Sequence, residues 1–148
     1  MMTNSHTLKV LLAGVCVFGT SYTVAQDPVQ GPGKDGRRRQ IYAELAKAPE
    51  KARSRANPLS SDPDAVAAGK KLFEAHCAEC HGDTAEGGKK GPSLRAAEVQ
   101  QATPGTLFWV LTNGVVRRGM PVWSKLPEPQ RWQIVSYIKA LEASPNPK

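Results

Sequence analysis

Two cysteines, Cys77 and Cys80, stand two residues apart, and His81 follows the second directly. A thiol pair at that spacing serves three kinds of chemistry: a redox dithiol, half of a metal site, or the attachment of a haem. The residue after Cys80 separates them. A haem carries two vinyl groups on neighbouring pyrrole rings, and a short Cys-x-x-Cys step lets two thiols reach them from one side while the next imidazole turns beneath the iron. Cys77-Ala78-Glu79-Cys80-His81 has that form. A thioredoxin-like dithiol needs no histidine there and belongs to a sheet whose strand signals are absent. A zinc site wants four ligands, and beyond the first 25 residues the chain has only Cys77, Cys80, His76 and His81, crowded within six residues. The expected cofactor is one covalently bound haem c, with its iron.

Gly91-Pro92-Ser93-Leu94 and Gly119-Met120-Pro121 follow in order. Together with the pentad they resemble the three marks of a bacterial class I cytochrome c, monohaem with a distal methionine, over about Asp64 to Glu142. The resemblance implies a first helix crossing the last at Gly69, Phe73 and Tyr137, and a Pro92 carbonyl that accepts a hydrogen bond from the proximal imidazole. Such a bond fixes the tautomer and makes the iron-facing nitrogen a better donor. Met120 is the expected sixth ligand, opposite His81. Met1 and Met2 depart with the leader, Gly119 frees the backbone, Pro121 stiffens the step, and a soft thioether favours ferrous iron. Trp109, on the helix between the two ligand segments, is expected to pack on the porphyrin.

These residues need elements to hold them. Apolar residues make up 40% of the 148, helix formers are plentiful and β-branched runs are short. The expected fold is all-α, a small cytochrome c-like helical domain wrapped around one covalent haem. Asp62-Pro63-Asp64 starts a helix running toward Cys80 through Val66, Gly69, Lys70, Phe73 and His76, with Pro63 near its first position and carboxylates at the positive end of its dipole. Thr103-Pro104 opens a second, with Leu107 and Leu111 on one face, and Asn113-Gly114 closes it. Glu128 to Leu141 forms the last, carrying Ile134, Tyr137, Ile138 and Leu141 at three-four spacing. Residues 82 to 91 are loop.

Four segments are expected: a signal peptide at 1–25, a flexible and partly helical N-terminal extension at 26–63, the cytochrome c domain at 64–142 and a frayed tail at 143–148. Lys9, the apolar run Val10 to Phe18 and the small residues before Gln26 mark the leader. Within the extension Pro49 interrupts a helical pattern carrying Ile41, Leu45 and Ala48. The apolar run is too short to cross about 30 Å of hydrocarbon unaided, and Val15 before Cys16 is too bulky for a lipoprotein signal. The expected location is therefore the periplasm, with a membrane-anchored form disfavoured and no stable transmembrane span after cleavage.

The formal charge of +7 falls to +6 when Lys9 leaves. No nucleic-acid-binding pattern accompanies it. Lys89, Lys90, Arg95, Arg117, Arg118 and Lys125 flank the ligand segments and suggest a positive collar that steers acidic redox protein partners. The expected function is single-electron transfer between redox proteins, without enzymatic activity. An alternative is the haem subunit of a larger dehydrogenase or oxidase complex. A haem peroxidase or ligand sensor would need an open iron position and a polar distal pocket.

Overall fold

The computed structural model describes residues 34–141; the expected signal peptide, Cys16 and the tail at 143–148 lie outside them. Seven α-helices run in order among these residues: α1 (Lys34–Ile41), α2 (Glu50–Arg53), α3 (Pro63–His76), α4 (Ala78–His81), α5 (Ala97–Gln100), α6 (Pro104–Asn113) and α7 (Glu128–Ala140), with 3-10 turns at Leu45–Lys47 and Val116–Arg118. The described residues contain no β-strand, and one isolated antiparallel bridge joins Val115 to Met120. The architecture is all-α, as expected.

Local chemistry explains where the main helices start. The Asp62 carboxylate accepts a hydrogen bond from the Asp64 amide at 2.9 Å, and Pro63 occupies the first position, where a missing N–H costs nothing. Thr103 caps α6 in the same way, accepting from the Thr106 amide at 3.2 Å ahead of Pro104. Gly114, at φ +66°, ends α6; a β-carbon there would stand 2.6 Å from the Pro121 carbonyl oxygen.

The most extensive helix pairing is α3 against α7. Gly69 sits at the crossing, where a β-carbon would come within 1.9 Å of the Gln133 carbonyl oxygen. Phe73 and Tyr137 meet beside it with ring centroids 5.1 Å apart. On the other side of α7, Trp132 stacks on Phe108 of α6 at 4.0 Å, and Val99, Leu107, Leu111, Ile134, Val135 and Ile138 complete that core. A smaller cluster holds Phe73, Ala78, Ala85 and Leu141, and Leu94 packs against both.

Residues 34–62 lie along this framework. Arg38 forms a bidentate pair with Glu98 of α5 at 2.5 and 2.9 Å. Thr103 donates its hydroxyl to the Arg53 carbonyl at 2.9 Å. Arg55 pairs with Glu128 at 2.7 Å while its guanidinium lies over Phe108 and Trp132. Buried Asn57 donates to the Ser136 hydroxyl at 2.8 Å. The close approach depends on Gly105, whose β-carbon would stand 2.0 Å from the Ala52 carbonyl oxygen. Overpacking typically costs ~1–3 kcal/mol. Gly105→Ala is therefore expected to raise the rate of limited proteolysis before Asp62 by on the order of tenfold, because cleavage follows the local opening equilibrium. Digestion of both proteins followed by mass spectrometry measures this; equal rates would show that the segment is not held there.

Candidate functional site

Cys77 ends α3 and begins α4, and its backbone (φ −122°) leaves the helical region between the two. The turn then tightens, with the amides of Cys80 and His81 both donating to the Cys77 carbonyl at 3.1 and 3.0 Å. Positions three and four apart on a helical turn share a side, so Cys77, Cys80 and His81 are grouped. Gly82, at φ +80°, closes the turn. Both cysteines are half-buried. Burial, followed by the neighbouring Cys80, pushes the Cys77 thiol up to about 11.

His81 is buried, and its Nδ1 lies 2.8 Å from the Pro92 carbonyl oxygen. A carbonyl can only accept, so Nδ1 carries the proton and Nε2 keeps its lone pair for a metal. Gly91 permits this approach: a β-carbon at that position would stand 2.9 Å from the Cys80 carbonyl oxygen and 3.1 Å from His81 Nδ1. The loop is held further on, where the Leu94 amide donates to the Ala85 carbonyl at 2.9 Å.

Met120 belongs to a different part of the fold. Its amide and carbonyl exchange hydrogen bonds with Val115 at 3.2 and 3.0 Å, closing a loop over the 3-10 turn, and Gly119 reverses the chain at φ +87°. The Met120 side chain is half-buried against the larger core cluster. Trp109 is half-buried on α6 and lies outside that cluster. The contacts thus join Cys77, Cys80, His81 and Pro92 directly, while Met120 and Trp109 are positioned from the α6 side. Cys77 packs with the smaller cluster and Met120 with the larger. An imidazole with a free Nε2, two cysteine sulfurs two residues apart and a thioether from the other cluster suit a haem c. Among the described residues, no group of three His, Cys, Asp or Glu side chains could hold a bare metal ion.

Several contacts carried no signal in the sequence. Arg95, expected in an open positive collar, instead donates to the Thr84 carbonyl at 2.7 Å and to the Leu141 carbonyl at 3.0 Å. Lys90 pairs with Glu79 at 2.6 Å, which holds the Glu79 carboxyl below its ordinary range. Lys89, Arg117, Arg118 and Lys125 are exposed. His76 meets Trp123 at 5.3 Å between ring centroids, linking the end of α3 to the segment after Met120. Buried Gln100 donates to the carbonyls of Leu94 and Ile138 at 2.6 and 3.1 Å.

Residues 64–138 match the family described as cytochrome c oxidase, cbb3-type, subunit III. The chain belongs to this family. It is similar to the cbb3-type cytochrome c oxidase subunit CcoP of Rubrivivax gelatinosus, 29% identical over 108 residues, 72% of this chain and 34% of that protein. The CcoP of Azospirillum sp. (strain B510) is 40% identical over 78 residues, 47% of this chain and 26% of that protein. The chain therefore spans about a third or less of these relatives. A solved structure, cytochrome cL from the marine methylotroph Methylophaga aminisulfidivorans, is similar with a TM-score of 0.52 and 25% identity over 68% of this chain and 67% of that one.

Membership of the cbb3-type subunit III family corrects two expectations. The resemblance to a stand-alone, monohaem class I cytochrome c does not hold as an assignment, because the ligand motifs on which it rested occur within an oxidase-subunit family. The expected periplasmic location, with a membrane-anchored form disfavoured, is overturned by the same relatives, which are oxidase subunits. Among the described residues no helix is long and apolar enough to cross a membrane. The coarse role of a cbb3-type subunit III domain is c-type cytochrome electron transfer, not catalysis.

Proposed function

We propose that this chain is a haem c-bearing electron-transfer subunit of a larger cbb3-type oxidase complex. The observation that carries the reading is the 2.8 Å contact of His81 Nδ1 with the Pro92 carbonyl, within a Cys-x-x-Cys-His turn of a family member. Cys77 and Cys80 hold one haem through thioethers, His81 Nε2 and Met120 sulfur bind its iron, and Trp109 lines its pocket. When bound, the group supplies a one-electron ferric/ferrous couple.

The chain's own residues do the rest. Pro92 holds the His81 proton at Nδ1 and so keeps Nε2 basic. The two apolar clusters exclude water, which limits reorganisation when the charge changes. Exposed Arg117, Arg118, Lys89 and Lys125 favour an acidic partner surface, and steering of this kind weakens as salt rises.

The test is purification of the tagged full-length chain from native membranes in mild detergent, with a reduced-minus-oxidised spectrum and the mass of the isolated chain. The expected result is a c-type spectrum, a mass increased by one haem, and co-elution with cytochrome c oxidase activity. Elution of the haem-loaded chain free of that activity would overturn the complex, and an unmodified mass would overturn the haem.

A further inference from the structure

The hydrogen bond that holds His81 comes from a loop, and that loop is itself held from outside the region that defines the family. The Tyr42 hydroxyl donates to the Ser93 carbonyl at 2.9 Å, one residue beyond Pro92. Ser93 Oγ accepts from the Arg95 amide at 3.2 Å, and Gln100 donates to the Leu94 carbonyl at 2.6 Å. Those last two ties arise within residues 64–138, the span of the family match. Tyr42 precedes it.

We propose that residues 34–62 are a strap that sets the proximal imidazole, with Tyr42 as a positioning residue acting through Ser93 and Pro92 on His81. The strap is anchored on both sides of Tyr42, by Arg38 on Glu98 and by Arg53 and Arg55 on Thr103 and Glu128. The Tyr42 ring packs against the larger core cluster beside Leu45, so packing aims the hydroxyl. Burial, then the Glu98 carboxylate, raises the phenol above its ordinary range, so it keeps its proton and remains a donor.

With the Ser93 carbonyl and hydroxyl both engaged, the Pro92–Ser93 peptide has little freedom to turn its carbonyl away from His81. Removing the Tyr42 tie restores that freedom and weakens the bond at Nδ1. A weaker bond makes Nε2 a poorer donor, which disfavours ferric iron more than ferrous.

The inference rests on the haem reading above, so wild-type holoprotein comes first. Tyr42→Phe keeps the ring and its packing and loses only the hydroxyl. It is expected to raise the midpoint potential, with a roughly threefold gain in the equilibrium constant for reduction by a fixed mediator, or about 30 mV at 59 mV per tenfold. Exchange of the His81 Nδ1 proton, followed by NMR in the ferrous protein, is expected to quicken. Arg55→Ala removes a distant anchor while the Arg38–Glu98 pair and the packing of the Tyr42 ring stay, and is expected to leave both readings in place. A haem-loaded wild type with an unshifted Tyr42→Phe midpoint would overturn the positioning role alone. Equal shifts in Tyr42→Phe and Arg55→Ala would overturn it as well, by showing general loosening. A wild type without covalent haem would overturn the underlying reading.

Discussion

Gly69→Val is expected to lower the stability of the domain sharply. A β-carbon at 69 would stand 1.9 Å from the Gln133 carbonyl oxygen, 2.5 Å from its carbon and 3.0 Å from the Tyr137 β-carbon. Two of these atoms are backbone of α7, so no side chain can rotate to make room. The helices must separate, and Phe73, fully buried beside the crossing, then loses its contact with Tyr137. Overpacking of this kind lies at or beyond the upper end of the usual ~1–3 kcal/mol, because packing losses along the crossing add to the clash. At roughly 4–8 °C per kcal/mol for a domain of this size, the melting temperature should fall by about 15 °C or more. Thermal unfolding followed by circular dichroism measures it. Gly69→Ala should fall in the same direction by a smaller amount, and a Gly69→Val protein melting within a few degrees of wild type would refute the close crossing.

The long helices were legible because their signals are local. Asp62 and Thr103 cap helices whose next residue is proline, and both caps form hydrogen bonds to amides two or three residues away. Gly69 and Phe73 face α7 as the four-residue spacing required. Helices α4 and α5 are each only one turn long, too short for any periodicity to register. The strap was illegible for another reason. Tyr42 and Ser93 are 51 positions apart, and Ser93 contributes a backbone carbonyl, which every residue possesses. Arg95 was misjudged similarly: its partners include main-chain oxygens of Thr84 and Leu141. A cation read from sequence alone looks solvated unless a carboxylate stands at a helical spacing.

The ligand motifs report what an iron needs, and an iron does not sense whether its domain travels alone. A five-residue attachment turn, a proline carbonyl and a glycine-flanked methionine meet the same demands in a free carrier and in a subunit. The family match extends across residues 64–138, well beyond those motifs. This is why a c-type cytochrome role was readable from a dozen residues while the family was not. The extension adds a related lesson: it is basic and proline-broken, yet Arg38, Tyr42, Arg55 and Asn57 each meet a specific partner in the helical domain.

Met120→Ala is expected to change the haem protein more than any other single substitution outside the attachment turn. The Met120 backbone is fixed by two hydrogen bonds to Val115, so an alanine there leaves the loop in place while removing the thioether. Its side chain also packs on the larger core cluster, so truncation opens a void as well as a coordination position. Met120→Leu separates the two effects, because leucine and methionine have similar volume and that exchange usually costs less than ~1.5 kcal/mol. Both variants should lose the weak red charge-transfer absorption of thioether-ligated ferric haem and bind cyanide or carbon monoxide rapidly. A soft thioether favours ferrous iron, so its loss should lower the midpoint potential. Axial ligands command a span of about 0.8 V, and a fall on the order of 0.2 V corresponds to over a thousandfold in the reduction equilibrium at 59 mV per tenfold. Met120→His should restore a six-coordinate spectrum without restoring the potential, since imidazole is the harder donor. If Met120→Leu keeps both the wild-type spectrum and the wild-type potential, the sulfur is packing material and the sixth ligand lies elsewhere.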